Sequence, residues 1–128
     1  MILSRGIRSL TEDFCFTDSI VTDIRWDDNL LDLLVVTWYY WDIQEGKKIA
    51  RELTIRLKNC RQANFAITKC YDMVHKTELR DYIISWYTIT HCTAEEKNGL
   101  IEVSIKTIDD DPKWLFAKCE EIWIEGEK

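Results

Sequence analysis

The sequence predicts a mainly β domain, an antiparallel sheet folded over itself as a sandwich or a partly open barrel. Three observations carry this. Apolar and polar residues alternate with period two through most of the chain. Polar turn signals recur at short intervals, although there are only four glycines and one proline. No segment keeps a helical period for long, so an α+β variant would hold little helix.

The elements follow in order. Ser9 and Glu12 have capping-box spacing and predict one helical turn near residues 10–14. Residues 20–26 predict a strand, with Ile20, Ile24 and Trp26 apolar and Asp23 and Arg25 between them. Asp27, Asp28 and Asn29 make a polar turn. Residues 30–40 are apolar on both faces, with Leu33, Val35 and Tyr39 on one and Leu34, Val36, Trp38 and Tyr40 on the other. That pattern belongs to a central strand covered on both sides. Residues 41–48 contain Gln44, Glu45 and Gly46 and read as a loop. Ile49, Leu53, Ile55 and Leu57 then alternate with Ala50, Glu52, Thr54, Arg56 and Lys58, as in a strand with one wet face. Arg51 interrupts its apolar side.

Ala63, Phe65 and Ile67 predict a strand within residues 60–68, and residues 69–80 read as a loop or short helix. Residues 82–91 alternate again. Asn98 and Gly99 predict a tight hairpin turn, followed by a strand with Ile101, Val103 and Ile105 on its apolar face. Asp109, Asp110, Asp111 and Pro112 end that strand. Residues 114–125 close the chain with imperfect alternation, which predicts a bulge or helical turn. Phe116, Cys119, Ile122 and Trp123 are its expected buried positions.

A chain of 128 residues and 15.3 kDa makes one domain, residues 1–128. It is large enough to fold on its own core without disulfide or metal. No apolar run reaches the roughly 20 residues of a membrane helix. Arg5 and Arg8 lead into Glu12 and Asp13, so no export leader is expected. The five cysteines are odd in number and show no C-x-x-C spacing. Reduced thiols in the cytoplasm fit best, with no structural zinc, other metal or cofactor expected. A net charge of -6 argues against direct nucleic-acid binding. The charge is uneven: -5 over residues 1–42, +4 over 43–91 and -5 over 92–128. An acidic face of that kind attracts basic partners.

Chemistry-bearing motifs are sparse. His91 and Cys92 are adjacent, so in a strand they point to opposite faces and form no catalytic pair. There is neither a G-x-S-x-G elbow nor a glycine-rich phosphate loop, and no enzymatic activity is expected. Asp27 and Asp28 in one turn, and Asp109, Asp110 and Asp111 in another, are the candidate contacts to a basic partner. Trp38, Tyr39, Tyr40 and Trp41 place four rings in succession. No strand buries four such rings on one face, and Trp41, with Tyr40 second, is the candidate exposed anchor.

The segment Phe16-Thr17-Asp18-Ser19-Ile20-Val21-Thr22-Asp23-Ile24 resembles an opening found in small bacterial β-rich proteins, with Thr17 where a histidine is usual. Residues 53–60 and 117–124 are similar to later strands of the same proteins. Many of these look like immunity partners of polymorphic or contact-dependent toxins. The resemblance implies a protein that binds a cognate toxin domain and blocks its active site or substrate surface. The acidic turns suit a basic nuclease, and the family brings no catalytic residues. The toxin's activity and the choice between monomer and dimer stay open. The alternative is a small β-barrel ligand carrier or enzyme with a Trp-lined pocket and convergent polar groups such as Arg51, Tyr87 or His91. A self-associating module is a third reading.

Overall fold

The computed structural model describes residues 1–66, 87–107 and 114–127. Among these residues nine strands occur: β1 (Ile2–Arg5), β2 (Ile20–Trp26), β3 (Leu33–Trp38), β4 (Glu52–Lys58), β5 (Gln62–Phe65), β6 (His91–Lys97), β7 (Leu100–Lys106), β8 (Leu115–Cys119) and β9 (Glu121–Glu125). They form two sheets, ordered β1-β9-β4-β3-β2 and β5-β8-β7-β6. Every pairing is antiparallel. The expected β fold is present, in its sandwich form and not as a closed barrel.

One core lies between the sheets. Leu53, Ile55 and Leu57 of β4, Ile122 and Ile124 of β9, and Val103 and Ile105 of β7 are fully buried in it. Alternation explains this directly, because each strand turns every second side chain inward. In β3 both faces are covered: Leu33 and Val35 face the core, while Leu34 and Val36 are also buried. Leu34 lies between Arg25 and Arg56 on the outer face, and Val36 between Asp23 and Thr54.

Where alternation failed, the cause is a change of geometry. Val21 pairs with Thr37 and Asp23 with Val36, so Thr22 is an extra residue in a bulge. The bulge flips the side-chain parity of β2 and lets Val21 and Ile24 both pack on the core. Ile20 consequently lies opposite Trp38 on the outer face. The irregular segment 114–125 is two strands in different sheets, joined at Glu120. The neighbouring ribbon turns the same corner between β4 and β5, through Asn59 at φ 48°. Glu120 N–H donates to Lys58 O (2.9 Å) and Arg61 N–H to Lys118 O (2.7 Å), so both ribbons bend together. Cys119 and Ile122 are buried as expected, but Phe116 and Trp123 lie on outer faces.

Other expectations fared unevenly. Asn98 and Gly99 take φ 53° and 81°, the left-handed pair that a two-residue hairpin requires. Residues 9–13 form one turn of π-helix, without the capping box: Ser9 is buried against Ser4, and Glu12 pairs with Arg8. Tyr40, read as the end of a strand, and residues 41–44, read as loop, form a single helical turn, α1 (Tyr40–Gln44). Strand β1 carried no sequence signal. Of the strand expected over 82–91, only residues 87–91 are described, and of these only His91 belongs to a named strand, β6. Residues 69–80, with His75 and Cys70, lie outside the described residues.

Gly126 follows β9 without strain but without room. A Cβ there would sit 2.4 Å from Leu53 Cδ2 and 3.1 Å from Glu52 O. Leu53 is fully buried and cannot swing away. Gly126→Ala is therefore expected to lose about 1–3 kcal/mol through overpacking, read as a lower urea midpoint.

Candidate functional site

The turn between β2 and β3 has inverted polarity: Asp27 and Asp32 face the protein, and Leu30 and Leu31 face solvent. Asp27 N–H donates to Asp32 O (2.9 Å), and Leu30 N–H to Asp27 O (2.9 Å), which closes the turn. Asn29 Oδ1 accepts from the N–H groups of Leu31 (2.9 Å) and Asp32 (3.1 Å). Leu31 O accepts from Cys60 N–H (2.7 Å), tying the tip to the corner after β4. With the backbone so held, Leu30 is 76% exposed, Leu31 54% and the adjacent Trp26 44%.

The acids are gathered beneath the tip by two cations of β4. Asp32 is fully buried. Its carboxylate accepts from Arg56 Nη1 (2.9 Å), Lys58 Nζ (3.0 Å) and Asn59 N–H (3.0 Å). Burial alone would raise its pKa, but the hydrogen bonds from Asn59, Lys58, Arg56 and Asn29 outweigh this and hold it at about 2. The same guanidinium pairs with Asp27 and, through Nε, with Glu125 of β9. The Arg56 hydrogen bond, aided by Asp28 N–H, lowers the Asp27 pKa. A planar fork of five donors suits three carboxylates at once, and it offers more donors in a more rigid geometry than a lysine ammonium. The aromatic neighbour of this hub is Trp123, with Lys58 Nζ and Arg5 Cζ each 4.5 Å from its ring centre. Trp123 Nε1–H donates to Glu121.

These positions correct the sequence reading. Asp27 is not a free steering charge, since its carboxylate is engaged by Arg56. Asp28 is exposed and makes no ion pair among the described residues. Trp41 is not an exposed anchor: its ring packs against the core and its Nε1 is buried. Among the described residues the most exposed tryptophans are Trp26 and Trp38. Tyr40 is half-buried, lies edge-on to Trp41 and donates its hydroxyl to Gln44 (3.0 Å). Tyr39 alone of the four rings enters the core, against Phe14 and Phe16. Asp109, Asp110 and Asp111 lie outside the described residues.

A second buried carboxylate sits at the opposite end of β3. Asp42 of α1 is fully buried and accepts from Arg51 Nε (2.9 Å), Arg51 Nη2 (2.9 Å), Arg51 N–H (2.8 Å) and Lys47 Nζ (3.1 Å). Burial pushes its pKa up, and the Arg51 and Lys47 bonds prevail and bring it to about 2. This explains the arginine that interrupts the apolar side of the strand: it locks α1 to β4.

The polar groups of the pocket reading do not converge. Arg51 lines an open groove of about 660 Å³ with Glu52 and Glu127. Tyr87 lines a separate one of about 310 Å³ that holds one tryptophan, Trp114. His91 is exposed on the outer face of β6, and Cys92 points to the core, its pKa pushed up to about 12 by burial. Among the described residues no three His, Cys, Asp or Glu side chains gather as metal ligands. None of their helices is long and apolar enough to cross a membrane.

No protein-family description matches the chain, and no curated protein sequence matches it. Its fold does have a counterpart. An uncharacterized protein from Neisseria gonorrhoeae, seen in a crystal structure, is similar with a TM-score of 0.59 over 87% of this chain and 93% of that one. The two sequences are 14% identical, so what the chain shares with that protein is the fold: antiparallel strands in two sheets.

Proposed function

We propose that the protein is a cytoplasmic immunity protein, which binds a cognate toxin domain and covers its active site or substrate surface. The observation that carries this reading is the inverted turn of residues 27–32. A solvated turn is ordinarily polar, because exposed leucine gains nothing from water. Here Leu30, Leu31 and Trp26 are presented together while Asp27 and Asp32 are turned in to Arg56 and Lys58. Exposed apolar side chains on a rigid base are what an interface anchor requires. The net charge of -6 favours a basic partner such as a nuclease domain, by speeding encounter.

The test is neutralisation. A toxin domain encoded beside this chain is expressed in a bacterial host with and without it. Restored growth, with a stoichiometric complex of the two purified proteins, is the expected result. In that complex, raising salt from about 0.05 to 0.5 M should slow association about tenfold or more and leave dissociation nearly unchanged. Undiminished killing in the presence of the folded protein overturns the reading.

A further inference from the structure

We infer that Leu30 is a preformed anchor, held in an unfavourable backbone conformation so that it enters an apolar pocket with a basic rim on a partner protein. The inference rests on the partner-binding reading above and assigns its contact residue and the chemistry that receives it. Leu30 has φ 59°. That is the left-handed region, where a Cβ crowds the following carbonyl and a branched residue is rare. Glycine or asparagine is the ordinary occupant of such a turn position. Leucine gains no compensating burial here, since the side chain is 76% exposed. Strain of this kind persists where the surroundings over-determine it and is concentrated at functional positions.

The surroundings do over-determine it. Both flanks of the turn are bonded through Asp27 and Asp32 to Arg56, and Arg56 is bonded across the sheet to Glu125. The Leu31 carbonyl is bonded to Cys60 N–H. The backbone of the tip is therefore ordered before docking, which is the benefit of preorganisation.

The rim chemistry follows from charge. At the base of the tip, the carboxylates of Asp27, Asp32 and Glu125 are paired with the cations Arg56 and Lys58, and Asp28 makes no ion pair among the described residues. The group is left negative by two, with Asp28 open to solvent. A pocket bordered by Lys or Arg complements that charge, whereas an acidic rim would be repelled.

The experiment compares Leu30→Asn with the wild type, with Leu30→Gly as a second variant. Both replacements accept φ near 59°, so each is expected to raise the melting temperature, Leu30→Asn by about 3 °C. The binding probe is the neighbouring toxin domain, or failing that the purified protein that wild-type bait retains stoichiometrically from source lysate. Both variants are expected to bind it about 30-fold more weakly or worse, and Asp28→Lys to slow association at low salt. A stabilised Leu30→Asn that binds as tightly as wild type overturns the proposal. So does a fall in melting temperature for both variants, which would make Leu30 structural, or a wild-type bait that retains nothing. The immunity reading fails separately: a partner that needs Leu30 but harms no host leaves the anchor in place and removes the toxin. A toxin neutralised equally well by Leu30→Asn does the reverse.

Discussion

Asp42→Ala is expected to destabilise the protein by about 3–5 kcal/mol, the largest loss of any single polar substitution in the described residues. The carboxylate is fully buried and receives four hydrogen bonds, three of them from Arg51. Removing it orphans the Arg51 N–H and leaves a guanidinium whose side chain is only 21% exposed with the Glu127 carbonyl for company. Lys47 and α1 lose their tie to β4 as well. Asp32→Ala should cost less, although Asp32 is equally buried, because Arg56 keeps Asp27 and Glu125. Chemical denaturation of both variants checks the ordering. A loss under 1 kcal/mol for Asp42→Ala would show that water replaces the carboxylate in full.

Acid is expected to unfold the protein through the same two groups. Asp32 and Asp42 are each held at about 2, against 3.8 for an unperturbed carboxyl. The folded state therefore binds fewer protons than the unfolded one between these values. Stability from each group is complete above pH about 4 and disappears as pH falls through about 2. The contribution is about 2–3 kcal/mol per group, since one pKa unit corresponds to about 1.4 kcal/mol. The pair should thus remove about 5 kcal/mol across that window, a large part of the total for a domain of this size. Melting temperature against pH measures it. Asp42→Asn should be less stable at neutral pH but show a shallower slope below pH 4. Parallel slopes for variant and wild type would assign the acid transition to other carboxylates.

The fold was legible wherever a strand kept one face dry. Leu53 to Leu57 and Ile101 to Ile105 announce themselves, and Asn98-Gly99 specifies its hairpin. Legibility ended where the backbone changed parity. The extra Thr22 re-aims Val21, and Glu120 sends β8 and β9 into different sheets, so a single alternating frame cannot fit either segment. The site was half legible. The turn at Asp27 and Asp28 was identified, but side-chain direction in a turn depends on partners distant in sequence, here Arg56 and Lys58 of β4. Leu30 and Leu31 between Asn29 and Asp32 were the available signal, an apolar pair where solvation favours polar residues. Trp41 misled because a helical turn, α1, directs its ring to the core.

The place of β9 between β1 and β4 governs how the protein comes into being during synthesis. The meander β2–β3–β4 can form as soon as it leaves the ribosome, but its β4 ladder then has an unpaired side. The pairing Arg56↔Trp123 closes a loop of about half the chain, and β1 has no place in the sheet until that loop is closed. Such non-local closure is slow, on the millisecond-to-second scale of β topologies. Throughout that interval the nascent chain carries an open hydrogen-bonding edge beside Ile55 and Leu57, and the arrival of one five-residue strand both completes the sheet and ends its exposure to mispairing.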